Sequence, residues 1–564
     1  VYVFQCCVVG GHLFRKIISE LRRTYERARQ SSSSSKTHSA VAPLEYDLRR
    51  GIRLQEEGLL EAASEVYRSV IAKEPREGSA YQLLSTVELW RGNVDLAEEL
   101  ILSAVEHAPH SVECLNTWGA ICLATARHDE ARDLFRRALD LDPLALRPRS
   151  NLLFLSNLLH DVTREQFFEE HLEWARIHAD PIATWTGRDE PLHPPAWESG
   201  GKIRIGYVSA DLWMGHPIGH IMAGMFDRHD RDRFDVYCYN STRSTDQLNL
   251  RMRTLVNVWR DVRSLGDDEL ASQIRLDGID MLIDLSGHTR HNRLRTFARH
   301  PAQAQMTWLG YLNTTGMRAM DWRFAARAGE SGDSQEFHSE KLWLHDGLPW
   351  PWVGLSDSKL DDDVPQTEPA QVVMASFNAF HKLNHQVFDA WGEVLADVPE
   401  ARLRVFGVPS GRCEDRVYEA FERHGINPGR IEVFGKLGYS RYLLECLRAD
   451  IALDPFPYNG GATTCECIWM GTPVVSLAGD QGFARTGASI LSSIGFPDLA
   501  CGSVDEYKNL IRKIIKDVRH PYRDRQFVRS RARQGLSRES DRFVPEFERS
   551  IVSMLRPDPK GRLG

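Results

Sequence analysis

The sequence predicts a short superhelix of paired α-helices followed by two α/β lobes, each built on a parallel sheet. Three observations carry that expectation: a fixed period between residues 45 and 146, two later blocks in which β-rich runs alternate with helical segments, and a Pro-rich polar break ahead of each block. A chain of 564 residues, 42% hydrophobic and 26% charged, has material for about two to four such domains.

Residues 1–42 read as a mobile extension. VYVFQCCVV is apolar but about half as long as a bilayer core requires, it ends at Gly10-Gly11 with no basic stretch before it, and Ser31 to Ser35 form a low-complexity run. A cleaved targeting segment is an open alternative there. No membrane span is expected elsewhere.

Over residues 43–160 the period is 34, the tetratricopeptide length: Pro75, Pro109 and Pro143 obey it, as do Ala63, Ala97 and Ala131, and Tyr67, Ile101 and Phe135. Each unit reads as two amphipathic helices. The small residue lets them approach, the bulky one fills the gap, and the proline ends the second helix. Gly58 and Gly92 fall at the turn, with Ala126 replacing glycine in the third unit. Stacked units form a superhelix with a concave groove suited to a peptide, although a spacing or dimerising role fits the same period.

The helical pattern continues through a linker, 161–200, until PLHPPAWESGG breaks it. The first lobe, 201–347, contains the runs 203–210, 234–240, 279–286 and 304–310. A linker over 348–370 precedes the second lobe, 371–555, with runs 372–378, 401–407, 430–435, 450–455 and 472–478. Ligands of such open sheets sit beyond the carboxyl ends of the strands, which points to the cleft between the lobes.

The composition removes some functions. A formal charge of −8 of mixed sign offers no footprint for nucleic acid. Ten cysteines in so long a chain are too few for a disulfide framework, and Cys465-Glu466-Cys467 lacks zinc spacing, so buried thiols in a reducing compartment are expected.

Three segments carry residues suited to chemistry. In DPFPYNGGATTCECIWMGTPVVSLAGD, a strand ends at Asp454 and a Gly-rich turn opens a helix at Ala462. Its N-terminal N–H groups with the hydroxyls of Thr463 and Thr464 form an anion site, and Glu466 is placed to accept from a ribose; an ordinary capped helix is the alternative. Lys382, in the loop after strand 372–378, offers a compact positive charge to a leaving diphosphate, where a lone surface lysine is the bland reading. In the first lobe, GYVSAD runs into His216-Pro217-Ile218-Gly219-His220. There His216 is a candidate base with Asp211 to orient it, and His220, His288 and His291 are rivals.

Together with DLSGHT and NRL, WLGY and TTG, and SEKL, these segments make the chain resemble the O-linked N-acetylglucosamine transferases, including their SPINDLY-like branch, from residue 45 to about 550. The resemblance implies a GT-B catalytic region of two Rossmann-like lobes. It further implies an inverting, metal-independent transfer, with no cofactor, of a sugar from a nucleoside-diphosphate donor to Ser or Thr hydroxyls. UDP-N-acetylglucosamine is the expected donor, and protein or peptide acceptors reach the site through the repeat groove. His216 and Asp211 match the first-lobe site, and Leu309 and Gly310 line the sugar pocket. Lys382 matches the phosphate-binding lysine, Thr463 a phosphate contact and Glu466 the ribose ligand. A cytoplasmic protein, as a possible homodimer, completes the expectation.

Departures fall inside the site. Asp211 and His216 are five apart where the pattern usually has four, Tyr442 stands where a base-stacking His is expected, and Ala462 where a Thr is common. Tyr442 can still stack through its ring. Another donor sugar such as fucose or glucose, a non-protein acceptor, and a scaffold that no longer turns over are the alternatives.

Overall fold

A computed structural model describes residues 38–183, 197, 200–352, 354 and 372–556. Most of the expected extension, residues 184–196 and 198–199 of the first expected linker, and most of the second lie outside the described residues.

The repeat region pairs Leu60–Lys73 with His38–Glu56, Val94–His107 with Gly78–Arg91, and His128–Leu141 with Val112–Ala124; Leu146–Ser156 and Arg164–His178 continue the stack. The periodic residues Ala63, Ala97, Ala131, Tyr67, Ile101 and Phe135 are all fully buried. Two of the bulky side chains are received by glycines that are two periods apart, Gly51 and Gly119. A methyl group added at Gly51 or Gly119 would lie 2.4 Å from Tyr67 or 2.5 Å from Phe135. The turn residues adopt left-handed backbone, with φ of 80° at Gly58, 88° at Gly92 and 57° at Ala126. Ala126 therefore bears the strain that glycine avoids.

The first lobe holds seven strands, β1 (Ile203–Ser209), β2 (Phe234–Asn240), β3 (Val258–Asp261), β4 (Met281–Asp284), β5 (Ala304–Thr307), β6 (Trp322–Ala326) and β7 (Lys341–His345). They form one parallel sheet in the order β3-β2-β1-β4-β5-β6-β7. The second lobe holds β8 (Val372–Ser376), β9 (Ala401–Phe406), β10 (Ile431–Phe434), β11 (Ile451–Leu453), β12 (Val474–Leu477) and β13 (Ala500–Cys501), parallel in the order β10-β9-β8-β11-β12-β13. The strand order reverses at β1/β4 in one sheet and β8/β11 in the other. Those are the crevices where the carboxyl edge of a doubly wound sheet binds ligands.

The expected runs 203–210, 234–240, 279–286 and 304–310, and their second-lobe counterparts, all contain strands. The sequence reading lacked β3, β6, β7 and β13. β3 is a half-exposed edge and β13 is two residues long, so neither carries a buried apolar run.

The lobes are tied together. Helix Arg525–Leu555 returns to the first lobe, where Phe547 packs with ring centroids 4.9 Å from both Trp308 and Phe324. Its Glu548 accepts from His229 Nδ1 at 2.8 Å and from the Asp230 N–H at 2.9 Å. The repeats touch both lobes: His128 Nε2 donates to the His381 carbonyl at 2.7 Å, Arg416 to the Thr125 carbonyl at 2.7 Å, and His171 meets the Tyr311 hydroxyl at 2.8 Å.

Candidate active site

At the second-lobe crevice, β8 leads into Asn378 and a short turn, Phe380–Lys382, while β11 leads into Asp454 and the Gly-rich turn. Asp454 is buried and organises both. It accepts from the Gly460 N–H at 2.6 Å, Ser476 Oγ at 2.6 Å and Asn378 Nδ2 at 3.5 Å. Burial pushes its carboxyl up to about 6, against the opposing pull of these donors and of Lys382.

Lys382 Nζ donates to the Asn459 carbonyl at 2.6 Å and lies 4.3 Å from the centre of the Tyr458 ring. Burial lowers its ammonium to about 8, partly countered by Asp454. The helix Ala462–Trp469 begins beside it with no side-chain cap on its first N–H groups. Gly460 leaves room there: an added methyl would fall 2.6 Å from Thr463 Oγ1, 2.9 Å from Thr464 Oγ1 and 2.8 Å from Asp454 Oδ1. Thr463 Oγ1 donates to Asn378 Oδ1 at 3.3 Å, whereas the buried Thr464 hydroxyl has no hydrogen-bond partner among the described residues. An ammonium, two hydroxyls and a helix N-terminus around a turn without side chains are the parts of an oxyanion cradle.

One turn further on, Glu466 accepts from Tyr442 OH at 2.7 Å and Tyr439 OH at 3.1 Å, and burial pushes its carboxyl up to about 7. The Tyr442 ring stands edge-on to Phe377 with centroids 5.6 Å apart. Tyr439 is the part the sequence reading missed. It stacks on Tyr442 on one side and on His220 of the first lobe on the other, each with centroids 6.1 Å apart and rings 17° from parallel. Position alone singled out no aromatic residue at 439.

In the first lobe the Asp211 N–H donates to Ser209 Oγ at 2.9 Å, and a turn from Asp211 to Trp213 leads to His216. Gly219 admits this loop, since an added methyl would lie 2.3 Å from the Trp213 carbonyl oxygen. His216 caps the helix Pro217–Arg228, its Nδ1 accepting from the Ile218 N–H at 3.3 Å. Burial lowers its pKa against the opposing charge of Asp211. With Nδ1 an acceptor, the proton of the neutral ring sits on Nε2 in this pose, and taking a proton from a hydroxyl there requires the other tautomer.

Of its rivals, His220 bonds the Met214 carbonyl at 2.8 Å. His288 is enclosed, bonded to the Thr315 carbonyl at 2.9 Å and packed on Trp174, with burial holding it down to about 4. Leu309, with φ of 77°, lines a cavity of about 30 Å³ between the lobes with Arg323, Gly482 and Thr486. Gly310 has no room for a side chain, an added methyl falling 2.0 Å from the Leu285 carbonyl oxygen.

Two of the motifs hold loops in place. Asp284 accepts from the Ser286 and Gly287 N–H groups and from Thr307 Oγ1. Glu340 of SEKL accepts from the Thr314 hydroxyl and the Thr315 N–H, both at 2.6 Å, and from the Thr315 hydroxyl. Among the described residues, no group of three or more His, Cys, Asp or Glu is arranged to hold a metal ion, and no helix is long and apolar enough to cross a membrane.

Two parallel-sheet lobes, each with a switch-point crevice and the second lined by Lys382, Thr463 and Thr464, define a two-lobed, doubly wound α/β protein. The model of glycosyl transferase family 41 matches residues 182–346 and 363–538, and the chain belongs to that family. A probable UDP-N-acetylglucosamine–peptide N-acetylglucosaminyltransferase SPINDLY of Arabidopsis thaliana is 30% identical over 394 residues, 67% of this chain and 42% of that protein. The SEC protein of the same plant, a probable transferase of the same description, is 28% identical over 350 residues, 59% of this chain and 35% of that one. The chain thus spans less than half the length of these curated relatives. A solved structure of a Thermobaculum terrenum O-GlcNAc transferase mutant superposes with a TM-score of 0.85 at 30% identity, covering 92% of this chain and 98% of that one.

Proposed function

We propose that the protein is an inverting glycosyltransferase that moves N-acetylglucosamine from UDP-N-acetylglucosamine to Ser or Thr hydroxyls of proteins without a metal ion. The observation that carries this reading is the cradle at Gly460, where Lys382, Thr463, Thr464 and a helix N-terminus converge on one small space. The names of the relatives and of the similar solved structure support the donor and the acceptor class.

In this reading the acceptor oxygen attacks the anomeric carbon from the first-lobe side as the bond to the diphosphate breaks. Lys382 and the first-turn N–H groups stabilise the charge that develops on the leaving oxygens. Glu466, released from the tyrosine hydroxyls, accepts from the ribose, and His216 holds the acceptor side. A histidine, an aspartate–water relay and the donor phosphate are the candidate acceptors of the hydroxyl proton. Closing the cleft excludes the water that would hydrolyse the donor. The eight described cysteines are all free and buried, which supports a reducing compartment such as the cytoplasm.

The test is nucleoside-diphosphate release by the purified protein against UDP- and GDP-sugars, with and without a cell-extract acceptor and with chelator present. Acceptor-stimulated, chelator-resistant release from UDP-N-acetylglucosamine is expected. Release from a different sugar replaces the donor assignment, and binding without release from any donor sinks the enzyme reading.

A further inference from the structure

Lys382 has two neighbours whose places are set from outside the cradle. An ammonium carries three N–H donors, and among the described residues the hydrogen bond it makes is the one to the Asn459 carbonyl. The Tyr458 ring, its centre 4.3 Å from Nζ, supplies a second negative surface. Both neighbours lean on Phe483. The Tyr458 ring stacks on it with centroids 5.7 Å apart and planes 24° from parallel, and the Asn459 N–H donates to its carbonyl at 3.1 Å.

Phe483 in turn sits where three parts of the chain meet. It belongs to the short turn Gly482–Ala484 after β12, which presses on the first lobe: a methyl added at Gly482 would fall 2.8 Å from the Leu312 carbonyl oxygen, and Asn313 Nδ2 donates to Gln481 Oε1 at 3.0 Å. Its ring packs against Phe167 of the helix Arg164–His178 with centroids 5.7 Å apart. Phe167 and Phe483 are both buried, and His171, one turn on from Phe167, stacks on it with centroids 4.6 Å apart. A ladder of rings, Phe167–Phe483–Tyr458, therefore runs from the helix that follows the repeats to the Lys382 ammonium. The steps of the transfer given above make no use of it.

We propose that Tyr458 is a positioning residue, whose ring, braced by Phe483 and Phe167, holds the Lys382 ammonium at the Gly-rich turn and couples it to the helix Arg164–His178. The consequence for sugar transfer rests on the transferase reading; the hold on Lys382 does not. A ring beneath a cation favours the charged form. An apolar side chain in its place keeps the crevice apolar but removes that attraction, so the ammonium gives up its proton at lower pH. The titratable groups that face Lys382 leave this visible. Asp454, pushed up to about 6, is ionised around pH 8, and burial holds His381 and, behind it, His128 of the repeats neutral there.

Competitive acylation of the full chain by trace acetic anhydride, read at Lys382 by peptide mass spectrometry across the range around pH 8, tests this without turnover. The midpoint of the Lys382 titration is expected to fall by about half to one pH unit in Tyr458→Leu and Tyr458→Met, to stay in place in Tyr458→Phe, and to fall part of the way in Phe483→Leu. Phe483→Leu leaves the cradle's own side chains intact and carries the test independently of the ring-less variants. An unmoved midpoint in a ring-less variant that melts like the parent chain overturns the proposal, as does an equal fall in Tyr458→Phe, which assigns the hold to the hydroxyl. An unmoved midpoint in Phe483→Leu overturns the coupling to the helix. In the same variants the alkaline limb of kcat/KM should move with the labelled midpoint. A midpoint that moves as expected, with no sugar transfer by the parent chain or any variant, counts against the transferase reading alone.

Discussion

At the residue scale, the site depends on groups whose charge is set by burial. Lys382 is an ammonium in a desolvated crevice, so in the proposed reading its replacement removes charge stabilisation at the diphosphate, along with the bond to the Asn459 carbonyl and the contact with the Tyr458 ring, while relieving a buried charge. Lys382→Met should lower kcat/KM by about 10²–10³-fold and leave the melting temperature unchanged or higher; near-normal turnover in that variant would exclude the mechanism. The same burial predicts a pH profile. Glu466 is neutral below about 7 and unable to accept fully from a ribose, and Lys382 loses its charge above about 8. Since kcat/KM reports the free protein, it should rise through pH 7 and fall beyond pH 8. Glu466→Gln should abolish the rise centred near 7, and a limb that persists unchanged in that variant removes Glu466 from the donor site.

At the scale of single elements, the repeats show one compromise. Gly58 and Gly92 take left-handed backbone, and nothing lies within 4 Å of where a Cβ would be, so conformation alone selects glycine there. Ala126 adopts the same conformation with a methyl group. Ala126→Gly should therefore stabilise the chain, by about 0.5–1 kcal/mol after the entropy that glycine adds to the unfolded state is subtracted. Calorimetry that shows a lower melting temperature for this variant would contradict the strain argument. The same turn contributes the Thr125 carbonyl to Arg416 of the second lobe, so its geometry also sets how the repeats sit on the catalytic region.

At the scale of the whole molecule, the two lobes are joined by the return of the helix Arg525–Leu555 to the first lobe. Phe547 is fully buried against Trp308 and Phe324, rings that belong to the other sheet. Phe547→Ala should cost about 3–5 kcal/mol in urea unfolding. A cost below about 1 kcal/mol would mean that the seam repacks and that the lobes are held elsewhere.

Periodicity and composition by themselves determined the helical repeats and the two parallel-sheet lobes, and residue types marked the loops after β1, β8 and β11 as candidate places for chemistry. Those signals are local: a 34-residue spacing, an apolar run, or a glycine turn before a helix declares itself within one segment. Only the tertiary structure decided which candidates meet. Lys382, Thr463 and Thr464 are separated by some 80 positions in the chain, and it is the neighbouring of β8 and β11, with Asp454 between their loops, that brings them together. The Tyr439 stack on His220, the burial that moves Glu466 and Lys382 toward neutral pH, and the enclosure of His288 arise from contacts across elements. No single segment encodes such contacts, because desolvation and ring packing depend on what the rest of the chain places alongside.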